Sequence, residues 1–208
     1  MPHPLGAPAT GAPGQEKAAS RMPDPDLTLA AFFDRHSAVV APQLLGALLL
    51  VEGVGGRIVE VEAYDPSDPA SHSFPGPTPR NRVMFGPPAR AYVYRSYGIH
   101  WCLNFVCGDA GAVLLRALEP TAGLDLMRAR RGIEDLRALC SGPGKLCQAL
   151  GVTGEDNGRA LAPPRFTLSL PGAAAAVTIG PRIGISKAVE TPWRFGVENS
   201  KFLSRRFG

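Results

Sequence analysis

The sequence has few residues that bind metals or form disulfides. Of its 208 residues, 4 are cysteine and 4 are histidine. The spacing of Cys102, Cys107, Cys140 and Cys147 matches neither the close pairs of zinc ribbons nor a dense disulfide framework. No two histidines form a close ligand pair. We therefore predict reduced cysteines in the core, no metal and no cofactor.

Long apolar runs are also absent. The longest, such as 44–51 and 173–177, are far shorter than the roughly 20 residues that span a bilayer. The start of the chain, Met1 to Met22, is rich in Pro, Ala and Gly and lacks the basic segment and apolar stretch of a secretory signal. We predict a disordered tail over residues 1–24, no membrane segment, and a cytoplasmic protein that is not secreted, nucleoid-associated if bacterial.

The charges show only a weak excess of one sign. The chain has 22 Lys and Arg against 18 Asp and Glu, a net charge of +4, which suits a polyanionic partner without requiring one. The length and the hydrophobic content of 45% fit one globular domain with its own core. We predict that this domain spans residues 25–208.

The order of predicted elements favours an α+β fold. Strands group together and helices lie apart, which is typical of a largely antiparallel sheet and unlike regular βαβ alternation. The segment 65–90 is a long loop, and long ordered loops are usually functional. The predicted helices cover 27–36, 121–131 and 144–150, the segment 44–51 is a helix or a strand, and the predicted strands cover 57–64, 91–94, 100–106, 112–118, 166–170 and 177–185.

Glu60 and Glu62 are the first candidates for chemistry. They lie two apart on a predicted strand, so their carboxylates share one face, and Tyr64 continues that face. A strand that ends in a long polar loop can present a catalytic acid or base. Alternating Val and Glu is also ordinary for a sheet with one wet side, so a solvated strand face remains open.

Aromatic and imidazole side chains follow in the loop and the next strand. His72 can join Tyr64 around a pocket, or it can be a capping or turn residue. Tyr92 and Tyr94 share a strand face, which serves either sheet packing or the stacking of a planar ligand. Tyr97 lies at a predicted turn, where it either projects into solvent and can enter a base stack or folds back onto the sheet.

Basic residues surround the same segment. Arg80, Arg82 and Arg95 can contact phosphates, or they can serve only solubility. The C-terminal stretch suits either nucleic-acid contact or an amphipathic end. Its alternating basic and aromatic residues are Lys187, Trp193, Arg194, Phe195, Lys201, Phe202, Arg205, Arg206 and Phe207.

One glycine-rich segment resembles a phosphate-binding loop but lacks its required residues. Gly142 to Lys145 reads GPGK, but Leu146 replaces the required Ser or Thr. Leu139 also stands where the leading glycine belongs. We predict no nucleoside triphosphate site.

Several linked motifs together resemble the alkyladenine, or 3-methyladenine, DNA glycosylase family. The likeness runs from about Leu27 into the C-terminal segment, and its order and spacing match as well as its residues. It implies one mixed domain with a curved, largely antiparallel sheet and flanking helices, similar to the formyltransferase C-terminal-domain-like fold. The motifs are RIVEVEAY at 57–64, ASH at 70–72, TPRNR at 78–82, AYVYRSYG at 91–98, VLLRALEP at 113–120 and SGPGKLCQAL at 141–150.

The resemblance also implies roles for individual residues. Glu62 would activate a water and Arg116 would hold it. Tyr64, His72 and Tyr94 would line the base pocket, and the His72 segment would offer a main-chain contact. Asn104 would crowd the amine of normal guanine. Tyr97 would fill the gap left by the flipped nucleotide.

The activity so implied is hydrolytic removal of alkylated or deaminated purines from duplex DNA, leaving an abasic site. The class includes 3-methyladenine, 7-methylguanine, hypoxanthine and ethenoadenine, and no covalent lysine intermediate is implied. The partner would be damaged double-stranded DNA and the enzyme a monomer. Two other hypotheses stay open: a DNA-binding module that has lost its chemistry, and a small-molecule nucleosidase that uses Glu60 with Glu62.

Overall fold

The computed structural model describes residues 28–208, which form one α+β domain with a curled antiparallel sheet. The tail predicted over residues 1–24 lies outside the described residues. The helices are α1 Leu29–Phe33, α2 Ser37–Gln43, α3 Leu124–Arg131 and α4 Pro143–Leu150. The strands are β1 Leu48–Val51, β2 Val54–Tyr64, β3 Ala91–Ser96, β4 His100–Val106, β5 Ala112–Ala122, β6 Phe166–Ser169, β7 Val177–Gly180 and β8 Arg194–Val197.

Strand β2 organises the sheet. One edge of β2 pairs with β5, while the other edge pairs first with β1 and then, from Glu60 to Glu62, with β8. The main strand order is β3-β4-β5-β2-β1-β6, and β7 pairs with β8. Because β2 has neighbours on both edges along this stretch, Glu60 and Glu62 lie in the interior of the sheet.

The two faces of the sheet carry different side chains. Val93, Leu103 and Leu115 belong to the main apolar core, together with α2 and α4 residues. Successive strand residues point to opposite faces, so the neighbours of these residues point away from that core. Tyr92 accordingly packs in a second small cluster with Met84, under the 65–90 loop. This second face carries the candidate site.

Helix α4 shows how local sequence sets an element's bounds. Pro143 occupies the first turn, where its missing N–H removes no helical bond, and Gly151 ends the helix in the left-handed conformation. Leu146, Cys147 and Leu150 are buried on the face that packs on the sheet. The GPGK run therefore starts a helix.

Several sequence predictions needed correction. The strand predicted over 177–185 ends at Gly180, and β8 was missed because its basic and aromatic alternation resembled an exposed end. Helix α2 was also missed, and 44–51 contributes only β1. Gly55 and Gly56 lie inside β2, where a Cβ on either would come within 1.9 Å of a carbonyl oxygen of a neighbouring strand.

The cysteine prediction is confirmed, because all four cysteines are free and buried. Burial raises the pKa of the Cys140 thiol to about 12. Buried, protonated thiols are inert, so these residues serve packing. Among the described helices, none is long and apolar enough to cross a bilayer.

Candidate active site

A cavity of about 760 Å³ lies between the second face of the sheet and the 65–90 loop. Its volume falls within the usual range for small-ligand sites, roughly 300–1,000 Å³. Because side chains alternate along each strand, only every second strand residue faces the cavity. The strand residues that line it are Tyr64, Tyr92, Tyr94, Ser96, Cys102, Asn104, Ala112, Leu114 and Arg116.

Arg116 lies at an irregularity in the β2–β5 pairing. Glu60 pairs with Ala117 and Val61 with Leu115, so Arg116 is the unpaired residue of a bulge. Bulges are common beside active sites, and Arg116 keeps the parity of Ala112 and Leu114, which also line the cavity. Arg116 Nε lies 3.0 Å from Glu60 Oε1, and its Nη1 lies 3.2 Å from Glu62 Oε1. One guanidinium thus joins both carboxylates.

Glu62 is 0% exposed, so the solvated strand face considered for it is excluded. Its Oε1 accepts from the Ile183 N–H at 2.7 Å as well as facing Arg116, and its Oε2 accepts from the Tyr64 hydroxyl at 2.9 Å. An ionised carboxylate oxygen can accept two bonds. Among the described contacts Oε2 has one donor, the hydroxyl of Tyr64, which itself lines the cavity. Glu62 therefore lies directly behind the cavity wall, and its Oε2 retains capacity for one more donor.

Burial opposes the charge of Arg116, yet the facing carboxylates of Glu62 and Glu60 raise its pKa above the ordinary value. The pKa of Tyr64 is also raised well above its ordinary value, by burial and then by the Glu62 charge. Arg116 is therefore a permanent cation and Tyr64 a permanent hydrogen-bond donor. Together they hold Glu62 in a fixed orientation.

Glu60 is also fully buried and, like Glu62, does not line the cavity, but its partners differ. Its Oε1 accepts from Arg116 Nε at 3.0 Å and from Arg194 Nε at 2.8 Å. Two guanidinium groups thus donate to one oxygen of Glu60, and this carboxylate is committed to ion pairs. This geometry opposes the nucleosidase hypothesis, which requires Glu60 to act beside Glu62.

Aromatic rings form one wall of the cavity. The His72 and Tyr94 ring centroids are 4.4 Å apart, and Tyr94 lies 5.5 Å from Tyr92. His72 Nδ1 is 2.9 Å from the Tyr92 hydroxyl, which fixes the imidazole plane. Burial raises the pKa of Tyr92 to about 12, so this hydroxyl keeps its proton. The prediction that Tyr92 and Tyr94 share a face is confirmed.

Asn81 anchors the loop that carries His72, and sequence reasoning passed over it. Its Nδ2 donates to the carbonyls of His72 at 2.6 Å and of Gly76 at 3.0 Å. Its Oδ1 accepts from the Thr78 amide at 2.6 Å. The buried side chain ties the loop together. In the His72 segment, predicted to offer a main-chain contact, the His72 carbonyl already accepts from Asn81.

His72 should titrate below its ordinary range. Burial lowers its pKa, and the positive charge of Arg80 lowers it further. The neutral form therefore stabilises the fold fully above the unfolded-state pKa of about 6.5, and this contribution is lost as the pH falls through the lower folded-state pKa. We expect NMR titration to give a His72 pKa below 6.5 that rises in Arg80→Gln. An unchanged pKa in that variant would remove Arg80 as a cause.

Asn104 lies in the cavity wall on β4, paired with Leu114 of β5. It is buried, and its Nδ2 donates to the Tyr92 carbonyl across the β3–β4 pair at 3.0 Å. Because the amide nitrogen makes this bond, the orientation of the Asn104 side chain is fixed. The side chain is therefore a rigid part of the cavity wall.

Tyr97 stands at the cavity mouth, at the turn between β3 and β4. It is 87% exposed, which confirms that the ring projects into solvent. Tyr97 and the next residue, Gly98, have φ of 50° and 69°, and the Ile99 amide donates to the Ser96 carbonyl at 3.0 Å. A left-handed tyrosine is strained by roughly 1–3 kcal/mol, and such strain clusters at functional sites.

The basic residues divide into two groups. Arg80 lines the cavity, with its guanidinium 5.9 Å from the Tyr94 ring centroid, and Lys187 lines it from the opposite side. Arg82 and Arg95 are exposed and lie outside the lining, and Arg95 packs 5.4 Å from the Trp101 ring centroid. All four positive charges are available near the mouth.

The segment 181–188 forms the remaining wall and was predicted only as part of a strand. It is held by the buried Arg182, which pairs with Asp68 and donates to the Ala63 carbonyl at 3.0 Å. The Arg182 guanidinium also packs 4.7 Å from the Tyr64 ring centroid and 5.5 Å from that of Trp193. No local pattern distinguishes this arginine from exposed ones.

Within residues 28–208, no group of three or more His, Cys, Asp or Glu side chains is placed to hold a metal ion. The acidic residues of the site face arginines instead. The arrangement is an aromatic slot that ends in a guanidinium and a buried carboxylate.

Comparison with known proteins gives consistent matches. The model of the methylpurine-DNA glycosylase family matches residues 31–201. A protein of Nitrosospira multiformis is 63% identical over 178 residues, 84% of this chain and 92% of the relative. One of Rhodopseudomonas palustris strain BisB18 is 66% identical over 179 residues, 85% and 90% respectively. One of Agrobacterium fabrum is 60% identical over 176 residues, 85% and 91%. All three bear the provisional name 3-methyladenine DNA glycosylase.

Proposed function

Because the chain belongs to the methylpurine-DNA glycosylase family, we propose that it hydrolyses the bond between deoxyribose and alkylated purines, 3-methyladenine among them, in duplex DNA. The observation that carries this proposal is the aromatic cavity that ends at Arg116, which bridges Glu62 and Glu60. Such a cavity accepts a planar base that has left the duplex and presents its sugar to a carboxylate.

The aromatic wall supports binding of an extruded purine. Tyr64, His72 and Tyr94 offer flat surfaces, and stacking on aromatic rings contributes about 1–3 kcal/mol per base. The neutral His72, held by Tyr92, adds no positive charge against a cationic alkylated ring. Electron-rich phenol rings attract such a cation through their π-faces. The wall thus favours alkylated over normal bases.

The chemistry we propose needs one water. Its oxygen attacks C1′ of the deoxyribose, the bond from C1′ to the purine nitrogen breaks, and the electron pair leaves with the base. The water proton passes to Glu62, whose Oε2 accepts only from Tyr64 among the described contacts. Arg116 orients this carboxylate and the water. An alkylated purine already carries positive charge, so it departs as a neutral base without an acid.

Asn104 is proposed to discriminate against normal guanine. Its amide is committed to the Tyr92 carbonyl and cannot move away from an incoming exocyclic amine. Crowding one substrate is as effective as attracting another, because specificity is a difference of affinities. Turnover of 7-methylguanine, hypoxanthine and ethenoadenine belongs to the same proposal and rests on the resemblance of the motifs.

Tyr97 is proposed to enter the duplex where the nucleotide leaves. We expect Tyr97→Ala to weaken retention of the flipped state by about ten-fold, because a stacked ring contributes about 1–3 kcal/mol. Fluorescence of 2-aminopurine beside the lesion would report the flipped fraction. Tyr97→Phe is the matched control and should retain it. Equal flipping by Tyr97→Ala and wild type would return Tyr97 to a purely structural turn residue.

The remaining parts of the proposal concern context. Arg80, Arg82 and Arg95 are proposed to contact phosphates around the mouth. The enzyme is proposed to act as a cytoplasmic monomer on damaged duplex DNA, nucleoid-associated in a bacterium, without metal or cofactor. The likeness to the formyltransferase C-terminal-domain-like fold is likewise proposed from the motifs. Excision is proposed to leave an intact abasic site.

The test is base release from DNA methylated with dimethyl sulfate, with the released purines identified by chromatography. We expect 3-methyladenine to be released in excess over enzyme, at a rate that falls steeply with salt. Binding without release by folded protein would favour the inactive module, and salt-insensitive hydrolysis of free nucleosides would favour the nucleosidase. Borohydride trapping of a protein–DNA adduct, through Lys187 for example, would contradict a monofunctional enzyme.

A further inference from the structure

The buried carboxylate behind Arg116 is completed by a segment far along the chain. Ser204 donates to Glu60 twice, from its amide to Oε2 and from its hydroxyl to Oε1 at 2.8 Å. Arg116 Nη2 lies 3.4 Å from the same hydroxyl. Ser204 therefore contacts both partners of the pair that faces Glu62.

The same segment also holds the second arginine of Glu60. Arg194 donates from Nε to Glu60 at 2.8 Å and from its terminal nitrogen to the Arg205 carbonyl. Its guanidinium carbon lies 3.9 Å from the Phe207 ring centroid. We call residues 203–207 the C-terminal hook. Arg116, which lines the cavity, pairs with both Glu62 and Glu60, Glu60 pairs in turn with Arg194, and the hook contacts Glu60 and Arg194.

Two glycines make room for Phe207 of the hook. A Cβ on Gly196 would lie 2.5 Å from the Phe207 ring, and one on Gly180 would lie 2.9 Å from it. These glycines belong to β8 and β7, whose pairing brings them under the ring. Only the absence of side chains at both positions admits the aromatic ring beside Arg194.

We propose that the C-terminal hook positions Arg116 through Glu60 and is thus a working part of the active site. The inference rests on the proposed function, in which Arg116 and Glu62 act on the water. The hook is a positioning element, because none of residues 203–207 lines the cavity. It also lies beyond residues 31–201, which the family model matches.

The physical reason is competition for Arg116. The guanidinium is shared between Glu60 and Glu62, so its direction depends on how firmly Glu60 is held. The hook shields Glu60 and Arg194 from water, which strengthens their ion pair in the low local dielectric. Without the hook, water would reach Glu60, and Arg116 would lose its fixed direction. Misplacement of about 1 Å can cost roughly 100-fold in rate.

The experiment measures single-turnover excision of one lesion in a duplex oligonucleotide over a range of enzyme concentrations. We expect Phe207→Ala to lower the maximal rate about ten-fold and to leave the half-saturating concentration within about two-fold of wild type. Phe207→Tyr should restore the rate. Leu126→Ala, which truncates an exposed apolar side chain on α3 outside the hook and the cavity lining, is the matched control and should keep the wild-type maximal rate.

Two further measurements distinguish positioning from mere stabilisation. In a Glu60→Gln background, Phe207→Ala should cause less than about a two-fold further loss, because both changes act through Glu60. If Glu60→Gln does not fold, the alternative measurement is the solvent exchange rate of the Arg116 Nε–H proton, followed by NMR in Phe207→Ala. Faster solvent exchange of that proton is expected below the unfolding temperature, and wild-type exchange would overturn the proposal.

Failure of this proposal differs from failure of the proposed function. If wild type releases no base, the function itself fails. If wild type is active and Phe207→Ala has the wild-type maximal rate, only the role of the hook is refuted. A loss confined to the half-saturating concentration would also refute it, since the hook would then contact DNA.

Discussion

Glu62→Gln should reduce the maximal rate of base release by about 10²- to 10⁴-fold, the usual contribution of a general base. Glutamine keeps the shape of the side chain, and its oxygen can still accept from the Ile183 N–H while its amide nitrogen faces the Tyr64 hydroxyl oxygen. It cannot take a proton from water or balance the charge of a developing oxocarbenium-like sugar. The loss should therefore appear in the chemical step and not in binding.

Single-turnover excision together with equilibrium binding to the damaged duplex measures the two effects separately. We expect the dissociation constant of Glu62→Gln to stay within about three-fold of wild type, since the buried Glu62 is not part of the cavity lining. Glu119→Gln is the matched control, because it removes the same charge from β5 outside the cavity. Turnover by Glu62→Gln at the wild-type rate would remove Glu62 from the mechanism.

Arg182→Met should lower the free energy of unfolding by about 3–5 kcal/mol, the usual cost of leaving a buried charge without its partner. The change leaves Asp68 without its ion-pair partner and removes a donor from the Ala63 carbonyl. It also removes the cation that packs against the Tyr64 and Trp193 rings. The 181–188 wall loses its anchor, and excision should fall with it. Lysine should not substitute, because it lacks the planar fork of donors.

Urea denaturation of Arg182→Met and of the double variant Asp68→Asn/Arg182→Met provides the measurement. Removal of both charges leaves no buried ion unpaired, so the double variant should recover part of the lost stability. Asparagine at 68 can still accept from the Ala70 amide, which the aspartate contacts at 2.9 Å. A loss below about 1 kcal/mol in Arg182→Met would show that solvent reaches this pair.

Local sequence patterns predicted much of the fold. Strands β3, β4 and β5, helix α4 and the turn at Tyr97 appear where alternation and turn residues indicated them. These elements succeed because their signals are local: side-chain parity, Gly151 at a helix end, and a glycine at a hairpin turn. The prediction missed strand β8, because its arginine and aromatic residues are typical of an exposed surface. In the structure Arg194 and Phe195 are buried and pair with β2.

The candidate site divides in the same way. Linked motifs singled out Glu62, Arg116, Tyr64, His72, Tyr94, Asn104 and Tyr97, and the structure brings all seven to the cavity or directly behind it. No pattern indicated Asn81, Arg182 or Ser204, because each acts on a partner distant in the chain or through a bond set by loop geometry. Long-range partners are fixed only when the sheet closes.

The sequence by itself determined the parity of the strands, the family motifs and the residue types available for chemistry. Only the tertiary structure decided that Glu60 and Glu62 are buried and that they have different partners. The reason is the path of β2: its neighbours on both edges exclude water, and Arg116 on β5 lies between the two carboxylates. Glu60 then contacts Arg194 and the hook, whereas Glu62 contacts Ile183 and Tyr64, two residues that line the cavity.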